Sequence, residues 1–119
     1  MRRLAPLLIL AACRNEPTTA QMGQVRRLMD QVRLTQTAIS SGIDDASRRR
    51  GLHVMARQIE DLQSMRPYVD PSKNETMRRL AAATVEELRS MANAPWERGS
   101  AKRLQQTCVS CHRPLGYPN

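Results

Sequence analysis

The chain has 119 residues, 40% hydrophobic and 25% charged, with a mean hydropathy of −0.56. That is room for one domain, and its bulk is soluble. A formal net charge of +8 comes with one Trp, two Tyr and no Phe. No basic run interleaves with aromatic residues, so the pattern expected of a stacking nucleic-acid binder is missing. A core of Leu, Met, Val, Ile and Ala alone is thin for this length, because aromatic side chains carry much of the buried area in most cores. Something else is expected to fill that volume.

In chain order, residues 1–12 come first. Arg2 and Arg3 precede a short apolar stretch, residues 4–10. The stretch is far too short to span a bilayer and reads as an export signal. Leu10-Ala11-Ala12-Cys13 resembles the bacterial lipobox, in which signal peptidase cuts before a cysteine that carries a diacylglyceryl group. The competing reading is an ordinary signal cut later, near Ala20, with Cys13 discarded. In both, the mature protein leaves the cytoplasm. With a lipid on Cys13 it is held on the periplasmic side of a bacterial membrane; without one it is free in the periplasm. Loss of Arg2 and Arg3 with the leader lowers the charge from +8 to +6. Such a surface suits an acidic partner or anionic headgroups, and an exported protein is not expected to bind nucleic acid. Residues 13–19 read as a polar tether and residues 20–119 as the folded domain.

Glycine and proline divide that domain into four blocks of helical period, and none alternates as a strand would. The first block runs from about Ala20 to Ser41, with Met22, Val25, Leu28, Met29, Val32 and Ile39 on one face. Gly42 is the expected stop. The second runs from about Asp44 to Arg66, with Leu52, Met55, Ile59 and Leu62 at helical spacing. Gly51 sits inside it and weakens it, and Pro67 ends it. The third opens with Ser72-Lys73-Asn74-Glu75, a capping-box pattern. Its stripe is Met77, Leu80, Ala81, Val85, Leu88 and Met91. The fourth begins at Pro95 as a first helical residue and runs through Ala101, Leu104 and Cys108 to about Arg113, where Pro114 stops it. Trp96 is expected to close one end. Four amphipathic helices with short connections imply an all-α, antiparallel up-down-up-down four-helix bundle.

The fourth block carries the chemistry. Thr107-Cys108-Val109-Ser110-Cys111-His112-Arg113 uses two of the three cysteines and one of the two histidines. Cys-x-x-Cys-His is the attachment signature of a c-type haem. Cys108 and Cys111 lie about one turn apart, so both thiols can form thioethers with the two vinyl groups on one haem edge. His112 follows four residues after Cys108 and can reach the iron. Three other readings compete. A thiol–disulfide pair normally sits at a helix start, where the dipole lowers the thiol pKa; this one is at a helix end. Structural zinc needs about four ligands, and only His53 and Cys13 remain. A disulfide within a helical Cys-x-x-Cys is strained. One covalent haem would also supply the apolar bulk that the missing aromatics do not.

The motif near the C-terminus of a four-helix pattern resembles the class II c-type cytochromes, of the cytochrome c-prime type; class I cytochromes carry it near the N-terminus. The resemblance covers about residues 22–112. It implies that the first helix supplies the residue facing the open side of the iron, often within Arg-x-x-Met. Arg26-Arg27-Leu28-Met29 matches. A low-spin branch of the family uses that Met as the sixth ligand, and in five-coordinate members the residue there only crowds the iron. The resemblance thus implies Met29 as sixth ligand opposite His112, the proximal ligand. Arg26, one turn before Met29, is positioned to pair with a propionate, the alternative being a solvated arginine. Family members are often dimers, so a homodimer is an expectation too. Pro114 departs from the family, which usually continues as a helix past the motif. On its own stripe Met29 is also a normal core residue; Met22 and His53 are the alternative ligands.

Two functions follow. The first is periplasmic electron transfer through haem c, with redox partner proteins that carry acidic surfaces and a lipid anchor at the membrane. The second is a five-coordinate haem protein that binds nitric oxide or carbon monoxide. Neither is an enzyme, since no acid–base or nucleophile constellation appears. Replacing Cys13 with Ser should release the protein from membranes or leave an unprocessed precursor, read by fractionation; unchanged partitioning overturns the lipobox reading.

Overall fold

The computed structural model describes residues 17–117; the signal and Cys13 lie outside them. Among the described residues the chain is all-helical, with four α-helices: α1 (Gln21–Ser40), α2 (Asp45–Glu60), α3 (Pro71–Ala92) and α4 (Ser100–His112). Short 3-10 turns follow α2 at Asp61–Ser64 and α4 at Arg113–Leu115. Each helix packs closely on the next: α1 on α2, α2 on α3, α3 on α4. Close backbone packing of α1 on α4 is not a feature of the fold. No helix here is long and apolar enough to cross a membrane.

Two helix starts differ from the sequence expectation. The capping box at Ser72 is not formed. Asp70 caps α3 instead, accepting from the Ser72 N–H at 2.9 Å, and Pro71 is the first helical residue. An aspartate before a proline offers both an acceptor and a preset φ. Glu75 is then free to pair with Arg78, which holds its carboxyl below the usual range. Likewise Pro95 does not open α4. Residues 93–99 form the connection, Trp96 half-buries against the core with the Arg48 guanidinium 5.3 Å from its ring, and the helix begins at Ser100. Seating the indole keeps residues 95–97 out of helical conformation.

α2 begins where its acids predict. The Asp44 carboxylate accepts from the Ser47 N–H at 2.7 Å, and that bond holds its carboxyl pKa down. The α2 period then breaks after Glu60, and residues 65–70 run on as an extended connection.

Pro17, Thr18 and Thr19, which the sequence assigns to the tether, belong to the folded body. Thr19 N–H donates to the Pro67 carbonyl at 2.8 Å, and Val69 N–H to the Pro17 carbonyl at 3.4 Å. Thr18 and Tyr68 pair as an isolated antiparallel bridge. The side chain of buried Asn74 completes this end: it accepts from Tyr68 N–H at 2.9 Å and donates to the Tyr68 carbonyl at 2.7 Å. It serves Tyr68 as a neighbouring strand would, so a buried backbone segment keeps both its polar groups satisfied.

Gly51, a weak point by propensity, has a packing reason. A Cβ there would lie 2.5 Å from Ile39 Cγ1, in the buried contact of α1 with α2. Alanine would gain about 1 kcal/mol of helix propensity but lose roughly 1–3 kcal/mol to overpacking. Gly51→Ala should therefore lower the melting temperature, and combining it with Ile39→Ala should cost less than the two separate losses summed.

Candidate functional site

α4 places the attachment motif. Leu104 and Thr107 bury its inner face against α3, and the Thr107 hydroxyl donates to the Arg103 carbonyl at 2.9 Å, so it can be buried without an orphaned donor. The facing Thr84 of α3 does the same with the Leu80 carbonyl at 2.8 Å. At about 100° per residue, Cys111 and His112 diverge by a quarter turn or so, with Cys108 between them. Cys111 is buried, Cys108 and His112 partly so.

Cys111 opens on a cavity of about 280 Å³ between α3 and α4, lined also by Leu80, Thr84, Glu87, Arg103 and Thr107. An ion pair of 2.6 Å between Arg103 and Glu87 spans that groove. Cys108 packs at the margin of the core, as do Val25 and Met29 of α1 and Leu80 of α3. These apolar side chains are covered only in part, as are Met65 and Trp96 in the connections, and Leu80 shares the cavity with Cys111.

Both cysteines are free thiols. Burial pushes each above the usual thiol value. The neighbouring Cys111 adds to this for Cys108, while the Thr84 hydroxyl opposes it for Cys111. The pair lacks the helix-start dipole and the cations of a reactive thiolate motif. His112 is shifted the other way: burial first, then the Arg33 guanidinium of α1, lower its pKa, which favours the neutral imidazole. A neutral imidazole is the form that ligates a metal.

The structure brings some candidate residues toward His112 and leaves others away. Arg33 acts on it from α1. The Tyr117 ring meets it edge-on at 6.2 Å, and the Tyr117 hydroxyl reaches Met22 Sδ at 3.9 Å. Met22 thus reaches His112 only through Tyr117, and Arg33 through its charge; Met22, Arg26, Met29 and Arg33 share one face of the α1 repeat. Arg26 is on that row but exposed, and His53 is exposed on α2. Cys13 lies outside the described residues.

The tyrosine pair at this end is not apparent from sequence. The Tyr68 and Tyr117 hydroxyls bond each other across 49 residues of chain. Burial, then that bond, raise the Tyr68 pKa. The Lys73 ammonium sits 4.5 Å from the Tyr68 ring centre. The one available signal was their rarity, two tyrosines in 119 residues, one beside the motif.

The donor set suits a covalently held haem. Cys108 and Cys111 offer two thiols about one turn apart, and His112 offers an imidazole; Met29 carries a thioether on α1. Among the described residues no group of three or more His, Cys, Asp or Glu side chains gathers as a metal cluster. Neither a protein-family model, nor a curated protein, nor a solved structure matches this chain.

Because burial raises both thiols, alkylation of protein made without haem attachment should be slow at pH 7. It should accelerate only above the pH of about 8.5 where an exposed cysteine titrates. A rate profile matching free cysteine would contradict the burial seen here.

Proposed function

We propose that this protein is a periplasmic electron-transfer haem protein of the class II c-type cytochrome kind, an antiparallel four-helix bundle with one haem c. The observation that carries the reading is Cys108-x-x-Cys111-His112 at the end of α4, with Cys111 buried and Cys108 and His112 partly so. Cys108 and Cys111 would hold the group through thioethers and His112 would hold its iron. A bound haem supplies one-electron redox chemistry at that iron. The partly covered apolar side chains Val25, Met29, Leu80 and Cys108 support the same reading, since they offer an apolar wall to a large flat ligand. So does the lack of close packing between α1 and α4. The contacts of Thr18 with Tyr68, Ile39 with Gly51 and Arg48 with Trp96 support the antiparallel order.

Met29 is assigned as sixth ligand because it matches the Arg-x-x-Met pattern and is a partly covered thioether on the core side of α1. A thioether is a neutral, soft ligand that raises the potential of the iron. Arg26, one turn earlier, is assigned to a propionate. The lipid on Cys13 would keep the protein at the membrane surface, where it would meet redox partners.

Expression in a host with working c-type maturation, followed by denaturation and mass spectrometry, should show one haem added. An unmodified mass overturns the proposal. His112→Ala should disrupt maturation. The reduced protein should show a sharp low-spin absorption band, and Met29→Ala should turn it high-spin and open it to carbon monoxide. It should also destabilise the fold by roughly 2–5 kcal/mol at most, the range for truncating a buried Met. A wild type already high-spin would assign the protein instead to nitric oxide or carbon monoxide binding. Loss of the low-spin band in Met22→Ala or His53→Ala, but not in Met29→Ala, would move the sixth ligand.

A further inference from the structure

The end of the N-terminal segment is fastened to one end of the molecule. Pro17 and Thr19 are hydrogen-bonded to the α2–α3 connection. The Thr19 hydroxyl adds a bond to the Arg66 carbonyl at 3.0 Å, and Arg66 N–H donates to the Gln21 side chain. Only residues 14–16 stand between Cys13 and this attachment. At about 3.6 Å per residue, a fully extended chain from Cys13 to Pro17 reaches no further than about 14 Å. A lipid on Cys13 would thus hold this particular end near the membrane.

That end carries a suitable surface. Arg66 and Arg113 are exposed there, the Arg66 guanidinium donating to the Gln63 and Met65 carbonyls, with Lys73 over the Tyr68 ring. Val69 is 58% and Tyr117 39% exposed beside them. The nearby acids are Asp70, whose carboxylate accepts from Ser72, and exposed Asp61. In the tether Arg14 and Glu16 cancel. The end built from the α1–α2 and α3–α4 connections, remote from the tether, sets Asp44, Asp45 and Glu97 among Arg48, Arg49, Arg50 and Arg98. Basic side chains add attraction to an anionic surface, and an apolar or aromatic side chain among them favours the interface.

We infer that the end formed by residues 65–70 and 113–117 rests on anionic phospholipid headgroups, with Arg66 and Arg113 facing the phosphates and Val69 and Tyr117 at the interface. The inference builds on the lipid-anchor reading of Cys13. Through Tyr117 this orientation turns the His112 end of α4 toward the membrane.

Hydrogen exchange of the lipidated mature protein tests it, comparing vesicles of phosphatidylglycerol and phosphatidylethanolamine with detergent. Amides of residues 65–70 and 115–117 should exchange several-fold more slowly on vesicles, while residues 41–45 and 93–99 stay unchanged. Slowing confined to residues 41–45, where Ile43 is 92% exposed, overturns the orientation. The Cys13→Ser protein tests the face without the lipid. At low salt it should bind phosphatidylglycerol vesicles and lose about fivefold in partitioning for each of Arg66→Gln and Arg113→Gln, at roughly 1 kcal/mol per charge. Arg66→Lys, which keeps the charge, should bind as the parent does. Equal losses from Arg49→Gln and Arg50→Gln, or none from Arg66→Gln and Arg113→Gln, overturn the inference. The mass of the mature N-terminus reports lipidation separately. An unlipidated Cys13 would therefore defeat the anchor reading while the Cys13→Ser binding series still decides the face.

Discussion

The packing of α4 on α3 is the contact on which the candidate site depends. α3 is the helix that touches both α2 and α4, and it buries Met77, Ala81, Thr84, Val85, Leu88 and Met91 along its length. The side toward α4 sets small Ala83 and Thr84 among the longer Leu80 and Glu87. Thr84 and Thr107 face it with hydroxyls already bonded to their own helices, so two polar side chains enter the interface without unpaired donors. The small pair leaves room in the groove beside Cys111 that larger apolar residues would fill. Leu104, fully buried, supplies the apolar anchor. The motif is presented by this arrangement and would shift with it.

The aromatic-poor composition reads differently once the burial is known. The inner core is complete in Leu, Ile, Met and Ala: Ile39, Leu52, Met55 and Leu88 are fully enclosed between α1, α2 and α3. The partly covered apolar residues at its margin, Val25, Met29, Met65, Leu80, Trp96 and Cys108, are spread over α1, the two connections, α3 and α4. Part of this uncovered apolar surface, that of Leu80 and Cys108, lies beside the motif. Covering such side chains would bring about 25 cal/mol for each Å² of apolar surface removed from water. That stabilisation is available to a flat apolar ligand held there, which is how the proposed haem would contribute to the fold as well as to the chemistry.

The sequence carried what is local and lost what is long-range. Helical period identified four helices because a stripe of apolar residues is a property of some twenty consecutive positions. The Cys108, Cys111 and His112 spacing was equally visible, being confined to five residues. Starts were less legible. Ser72 with Glu75 satisfied the capping pattern, yet Asp70-Pro71 two residues earlier offered the better cap, and propensity alone did not rank them. Pro95 suited a first turn, but a tertiary contact, Trp96 against the core, decided that segment. The bridge of Thr18 to Tyr68 and the Asn74 bonds to Tyr68 had no sequence signal, and the Tyr68–Tyr117 pair none beyond the rarity of tyrosine. Each joins segments whose neighbourhood exists only after the helices have packed.

Charge is distributed as unevenly as the apolar cover. Ion pairs join Arg48 to Asp45, Arg78 to Glu75, Arg89 to Glu60 and Arg103 to Glu87. All lie on α2, α3, α4 or the ends of these helices, and as exposed pairs they contribute little to stability. α1 takes part in none of them, and carries Arg26, Arg27 and Arg33 against the lone acid Asp30. Its positive field falls on the side where His112 stands, and Arg33 already disfavours a cationic imidazole there. The same field acts on any redox centre held at that place. It favours whichever state carries less positive charge, so under the proposed reading the helix that supplies the sixth ligand would also bias the site toward its reduced form. Thioether ligation and the arginine row on α1 would then act in one direction, both arising from a single stretch of the first helix.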